Sequence, residues 1–296
     1  MSVTVNETSV AGRAAAPLRN PRPFKWQRLL ARIVLYALCA LFVLPIYSMV
    51  TSGLKTPAEL GSFPPTLFPH TLAWGNFDAA TSFIPFWKYF GNTVDVALFS
   101  TLGAVVSSFV VAYGFARFNF PGRDFFFYSV LGSIFLAGFP VLTLIPLFDM
   151  FTRLGWLNTF LPLIVPSWFG NAFYIYLLRQ FLLRLPPELM EAARIDGAGE
   201  LRVLWSIVLP LSIPAVAVVA VFALFNSWND FLGPLVYLQD ESKYTLAIGL
   251  SLYKSTHDAQ WHLMNMASTL VVLPEIVLFL IFQRAFLSGI AAGAVK

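Results

Sequence analysis

The chain has one cysteine, three histidines, and charge at only 11% of its 296 positions. A single thiol excludes an intrachain disulfide and any metal site built from several thiolates. Cys39 lies inside a long apolar run and reads as a small buried hydrophobe. No Gly-Lys dipeptide occurs, so there is no P-loop, and neither His-Glu-x-x-His nor Gly-x-Ser-x-Gly is present. His257 and His262 sit five apart in a loop, a poor metal pair. Nothing here supports catalysis, a resident cofactor or a metal, so any ATP hydrolysis must reside on another chain.

What is abundant is apolar side chain, at 58% of residues, against about 45–50% in soluble domains. A bilayer needs roughly 20 apolar residues per helical span. Six runs qualify: Leu29–Val50, Phe90–Phe115, Phe125–Phe151, Leu157–Leu178, Leu204–Phe231 and Leu263–Phe286. Pro162 and Pro166 interrupt the fourth, and a spanning helix tolerates proline where neighbours satisfy the freed carbonyls. The fold class expected is an all-α integral membrane protein of six transmembrane helices. Residues 1–28 form a disordered tail, 29–287 the spanning domain and 288–296 a second tail.

Charge orients this arrangement. With the N-terminus in the cytoplasm, the inner segments hold Arg13, Arg19, Arg22, Lys25, Arg28, Arg32, Arg117, Arg123, Arg179, Arg184, Arg194, Arg202, Arg284 and Lys296. The outer segments hold only Lys55, Lys88, Arg153, Lys243 and Lys254. That asymmetry favours N-in, C-in. The basic excess therefore reports topology rather than nucleic-acid binding. Two long outer stretches, Ser52 to Trp87 and Leu232 to His262, leave two readings: caps on a pore or on a partner, or plain connectors. Trp74, Trp87 and Trp261 suit the membrane interface.

A polar segment between the fourth and fifth runs, about 185–204, lies in the cytoplasm by this orientation. Pro186-Pro187 suits the first turn of a helix, and Glu188 sits where the helix dipole favours negative charge. Leu189, Met190, Ala192, Ala193 and Ile195 supply apolar surface, and Gly197 can take a positive φ and end the helix. A second helix follows, running through Leu209-Pro210 into the fifth span. Physics alone leaves two readings: a partner-docking helix, or an interfacial helix with no partner.

Ionisable groups at membrane depth are costly and therefore candidates for function. Asn226, Trp228, Asn229 and Asp230 cluster at the outer end of the fifth run, and Glu275 follows Pro274 near the middle of the sixth. Amides, carboxylates and aromatic faces are the groups that bind sugars. The cluster therefore reads as pathway lining, as a gate or as a packing corner. Asp95 and Asp149 lie toward outer span ends, within reach of headgroup water.

The stretch Glu191-Ala192-Ala193 through Asp196-Gly197-Ala198, then Ile207, Leu209-Pro210 and Pro214, is similar to the cytoplasmic EAA loop of ABC-importer permeases. Ala116-Arg117-Phe118, Pro121-Gly122, Ser227 to Phe231, Tyr244 to Ala247, and the ending from Phe282 through Gly289 to Lys296 resemble that family's carbohydrate branch, of the MalG type. The resemblance covers nearly the whole chain. It implies that Glu191, Ala192, Ala193, Asp196 and Gly197 dock on a cytoplasmic ATPase dimer, which binds ATP and magnesium. It also implies a second permease subunit, an extracytoplasmic solute-binding protein, a carbohydrate cargo, surrounding lipid and a prokaryotic plasma membrane. Glu275 departs from the pattern, where an apolar residue is usual. A polyol or glycerol phosphate cargo, and an ion-coupled secondary transporter, are the alternatives.

Overall fold

The computed structural model describes residues 25–137, 140–254 and 260–294. The expected N-terminal tail lies outside these up to residue 24, as do His257 and residues 295–296. Helices make up 78% of the described residues, as the apolar runs predict. The chain divides into two units, residues 1–47 and 48–296. The first helix, α1 (Lys25–Gly53), crosses that boundary. Along it Leu30, Leu41 and Phe42 are exposed, and so is Cys39, contrary to its apolar setting. A helix apolar on every side suits lipid, where an exposed hydrophobe or thiol carries no penalty.

In the second unit, α2 (Pro57–Leu60) and α3 (Gly75–Phe83) belong to the stretch between residues 52 and 87. The long α4 (Phe86–Arg117) follows, then α5 (Arg123–Ala137), α6 (Pro140–Arg153), α7 (Leu161–Ile164), α8 (Ala172–Leu182) and the short α9 (Glu188–Ile195). After α10 (Glu200–Val203), a π-helical turn over Leu204–Val208 leads without a break into α11 (Leu209–Trp228). Then come α12 (Leu232–Tyr237), α13 (Leu246–Leu252) and α14 (Trp261–Ala294).

Five stretches among the described residues are long and apolar enough to cross a membrane: Arg28–Gly53, Phe86–Arg117, Leu161–Leu182, Glu200–Trp228 and Trp261–Gln283. The third expected span falls on α5 and α6, whose described residues stop at Ala137 and resume at Pro140. The fourth is broken. After α7 the chain tightens into a 3-10 turn over Val165–Phe169, Gly170 turns at φ +87°, and Asn171 caps α8 by accepting the amides of Phe173 and Tyr174. Pro162 and Pro166 withhold the donors a continuous helix would need.

Lipid is as apolar as leucine, so helices in a bilayer associate through close packing and hydrogen bonds. Small residues mark where α4 meets its neighbours. A Cβ on Gly103 would lie 2.4 Å from the Trp168 ring, and one on Gly249 would lie 2.7 Å from the Tyr89 ring. Gly53 shows the same for backbone, since its Cβ would fall 2.8 Å from the Met266 nitrogen. One apolar core joins Ala104, Ala112 and Tyr113 of α4 to Leu178, Met190, Val203, Val208 and Val219. A second joins Tyr89 and Trp228 to Leu246, Tyr253 and Ala267.

The long connecting stretches are held by side chains bonding backbone. Asn76 donates to the carbonyls of Gly53 and Lys55, both at 2.8 Å. Asn92 donates to the Ser242 and Tyr244 carbonyls, at 3.0 and 2.9 Å. Asn158, at φ +58°, accepts the Gln239 and Asp240 amides, while its carbonyl receives the Lys243 ammonium at 2.6 Å. Burial pushes the Tyr253 hydroxyl up to about 12, so it stays a donor, and it bonds the Ala80 carbonyl at 2.6 Å.

Candidate functional site: the exposed helix and the polar cleft

The segment 186–199 folds from its own sequence. Pro187 precedes α9, and Glu188 and Glu191 occupy its first turn. At the other end the Gly197 amide donates to the Arg194 carbonyl at 3.0 Å and the Ala198 amide to the Ala193 carbonyl at 2.9 Å. That pair of bonds is a Schellman cap, which needs a left-handed residue at its corner. Gly197 supplies it at φ +83°, with nothing within 4 Å of where a Cβ would stand. Met190 and Ala193 turn inward onto the first core. Glu191, Ala192, Arg194 and Asp196 are exposed, and so are Leu189 and Ile195, the latter at 87%. The two adjacent alanines of the motif therefore face opposite ways, Ala193 into this chain and Ala192 away from it.

Three residues that sequence alone did not connect meet behind this helix. The Arg194 guanidinium grips Glu200 with two donors, Nε to Oε1 at 2.7 Å and Nη2 to Oε2 at 3.3 Å. The Tyr113 hydroxyl of α4 donates to the same carboxylate at 2.9 Å. One turn further along α4, the Arg117 guanidinium donates to the Leu182 and Leu185 carbonyls at 2.5 and 2.9 Å.

A polar cleft opens beside the broken segment between α7 and α8. A volume of about 240 Å³ is bounded by Ser100, Ser167, Gly170, Asn171, Asn226 and Ser227 among others. It shares Ser167, Asn226 and Ser227 with a larger one of about 830 Å³ that reaches Asn229, Asp230 and Phe231. Serines of α4 satisfy the backbone that the break leaves open. Ser100 donates to the Leu163 carbonyl at 3.1 Å, Ser107 donates to that of Ser167 at 3.3 Å, and Ser108 accepts the Asn171 amide at 3.1 Å. Irregular backbone at membrane depth is tolerated where protein pays its hydrogen bonds or where it lines a cavity. A serine stripe at spacings of seven and eight within an apolar run was the available sequence signal.

Of the five candidate pathway residues, Asn226, Asn229 and Asp230 border the larger cleft. Asp230 accepts the Gly233 amide at 3.1 Å, which closes the turn after α11. Trp228 is buried against Phe90, ring centroids 5.8 Å apart, and its indole nitrogen has no hydrogen-bond partner among the described residues. Its ring borders a third cavity, about 440 Å³, together with Asn229, Lys254, Ser268 and Val271. Glu275, one turn beyond Val271 on the same face of α14, accepts a hydrogen bond from the Asn229 side chain at 2.5 Å.

Residues 104–292 match the family described as the binding-protein-dependent transport system inner membrane component. The arabinooligosaccharides transport system permease protein AraQ of Halalkalibacterium halodurans is 35% identical over 257 residues, covering 86% of this chain and 91% of that protein. The sn-glycerol-3-phosphate transport system permease protein UgpE of Yersinia pestis is 32% identical over 259 residues, covering 84% and 91%. A chain in the crystal structure of a bacterial ABC transporter that imports the acidic polysaccharide alginate shares the fold. It has a TM-score of 0.77, with 90% of this chain and 99% of that one covered at 21% identity. With nearly two thirds of its length inside the family match, this chain belongs to the binding-protein-dependent inner-membrane components, the permease subunits of ABC transporters.

Proposed function

We propose that the chain forms half of the translocation pore of an ATP-driven carbohydrate importer, with α9 as its coupling helix. The observation that carries this is α9 itself. It anchors inward through Met190 and Ala193, leaves Leu189, Ala192 and Ile195 exposed, and ends in a Gly197 corner within the family match. Exposed apolar side chains in a row beside a charged residue, Glu191, suit a protein groove.

In this reading six spans cross the membrane, with α5 and α6 together supplying the third, and both termini face the cytoplasm. Residues 1–28 and 288–296 are the tails and 29–287 the pore domain. The coupling set is Glu191, Ala192, Ala193, Asp196 and Gly197. A dimer of ATP-binding subunits drives it, a second permease completes the pore, and a solute-binding protein delivers cargo. The pore subunit hydrolyses nothing. Asn226, Asn229, Asp230 and Glu275 line the path, and Trp228 backs it with an aromatic wall. Oligosaccharide is the cargo class favoured by the arabinooligosaccharide relative. The glycerol-phosphate relative keeps a phosphorylated polyol as the second reading.

The test is affinity purification of the tagged chain from native membranes in mild detergent. An ATP-binding subunit and a second permease should accompany it. A chain that purifies alone from membranes in which those proteins are expressed contradicts the proposal.

A further inference from the structure

A coupling helix has to move something, and α4 is placed to receive the movement. At one end of α4, Tyr113 bonds Glu200 at the α9–α10 elbow and Arg117 bonds the chain entering α9. From the middle of α4 onward, Ser100, Ser107 and Ser108 hold the broken segment that borders the polar cleft. Ser100 and Tyr113 are about 20 Å apart at roughly 1.5 Å of rise per residue. A single continuous helix therefore spans from elbow to cleft.

Beyond the two backbone bonds of its cap, the elbow's glycines bring no side chain to fix it. Positions 197 and 199 are both glycine, and a Cβ at either would meet nothing within 4 Å. Apolar packing of Met190 and Ala193 resists a push on α9, but such contact is non-directional. A hydrogen bond to an ionised group is directional and strong, and so holds under a pull as well. Glu200 is held on both sides, by two bonds from Arg194 of α9 and one from Tyr113 of α4.

We propose that Arg194, Glu200 and Tyr113 form a link that transmits movement of α9 to α4, and through α4 to the broken segment at the cleft. They are positioning residues, since none touches cargo or nucleotide. The inference rests on α9 being the coupling helix.

The test uses the full importer in proteoliposomes, this chain with its sister permease, ATPase and binding protein, supplied with a labelled mixture of pentose and hexose oligosaccharides. The reading is sugar taken up per ATP hydrolysed. Tyr113→Phe removes one hydroxyl and keeps the ring in its core. The ratio should fall roughly fivefold, the factor expected for one lost hydrogen bond, with the same amount of ATPase copurifying. Glu200→Ala should reproduce the fall, and so should Glu200→Gln, whose amide sets a donor against one of the Arg194 donors where the carboxylate accepts. An unchanged ratio in Tyr113→Phe overturns the link. So does a fall in copurified ATPase that accounts for the whole loss, because the residue would then serve assembly alone. Wild-type uptake that ignores ATP would sink the coupling reading itself, a result distinct from a coupled wild type with an indifferent variant.

Discussion

The Asn229 side-chain amide donates to the Glu275 carboxylate at 2.5 Å, fastening the turn after α11 to the middle of α14. The same nitrogen also donates to the Phe225 carbonyl at 3.0 Å. Glu275 thus has a partner in its own chain, which its isolation in the sequence did not predict. Removing one member of such a pair strands the other. Asn229→Ala should destabilise the purified complex by about 1–3 kcal/mol, the usual cost of an unsatisfied polar group. Adding Glu275→Leu, which removes the stranded acceptor, should recover most of that loss. Thermal unfolding of the two variants measures it, and equal or additive losses would show that the bond matters little.

Gly197 is left-handed with open space around it, so the cost of a side chain there is backbone strain alone. Gly197→Ala should cost about 1–2 kcal/mol locally and weaken copurification of the ATPase. Gly197→Pro cannot reach a positive φ and also loses the amide that bonds the Arg194 carbonyl. It should insert normally yet show no cargo-stimulated ATP hydrolysis. Normal stimulation in that variant would remove Gly197 from the coupling set.

Gly103 and Trp168 form a fitted pair between α4 and the 3-10 turn. A methyl at 103 would lie 2.4 Å from the indole, so Gly103→Ala must displace the ring. Overpacking of this kind costs about 1–3 kcal/mol. Trp168→Ala in the same chain should return a substantial part. A double-mutant cycle on complex stability reads the coupling, and strict additivity would mean the ring moves aside freely.

The first outer stretch should loosen with acid. Glu59 accepts the His70 amide at 2.9 Å and the Thr66 hydroxyl at 3.0 Å, and the Lys55 ammonium bonds the Thr66 carbonyl. The His70 amide in particular holds the Glu59 carboxyl below its ordinary value. A carboxyl that titrates lower when folded contributes fully above the ordinary carboxylate range, and the contribution is lost as pH falls through its folded value. Exchange protection of the His70 amide should therefore decline between about pH 6 and about pH 3. In Glu59→Gln the same protection should be nearly flat with pH, and a matching decline there would exclude Glu59 as the cause.

Much of the elbow was legible locally. Pro186-Pro187, the acidic first turn and Gly197 each act on their own few residues, and the helix, its cap and its positive φ follow from them. The link behind it was not, because Tyr113 and Glu200 are 87 residues apart and no periodicity announces their meeting. Proline marked the fourth span as irregular, but composition could not say that α4 serines would satisfy the break. Trp228 was grouped with Asn226 and Asn229 by sequence position, and the structure packs its ring against Phe90 and sets it on a cavity that Asn229 shares and Asn226 does not.

The measurement that bears most directly on the central claim is solute uptake by proteoliposomes holding this chain, its sister permease, the ATPase and the binding protein. Labelled oligosaccharide should accumulate only with enclosed ATP and with the binding protein outside, and Gly197→Pro should abolish it. Accumulation by this chain alone, driven by an ion gradient without ATP, would contradict the account.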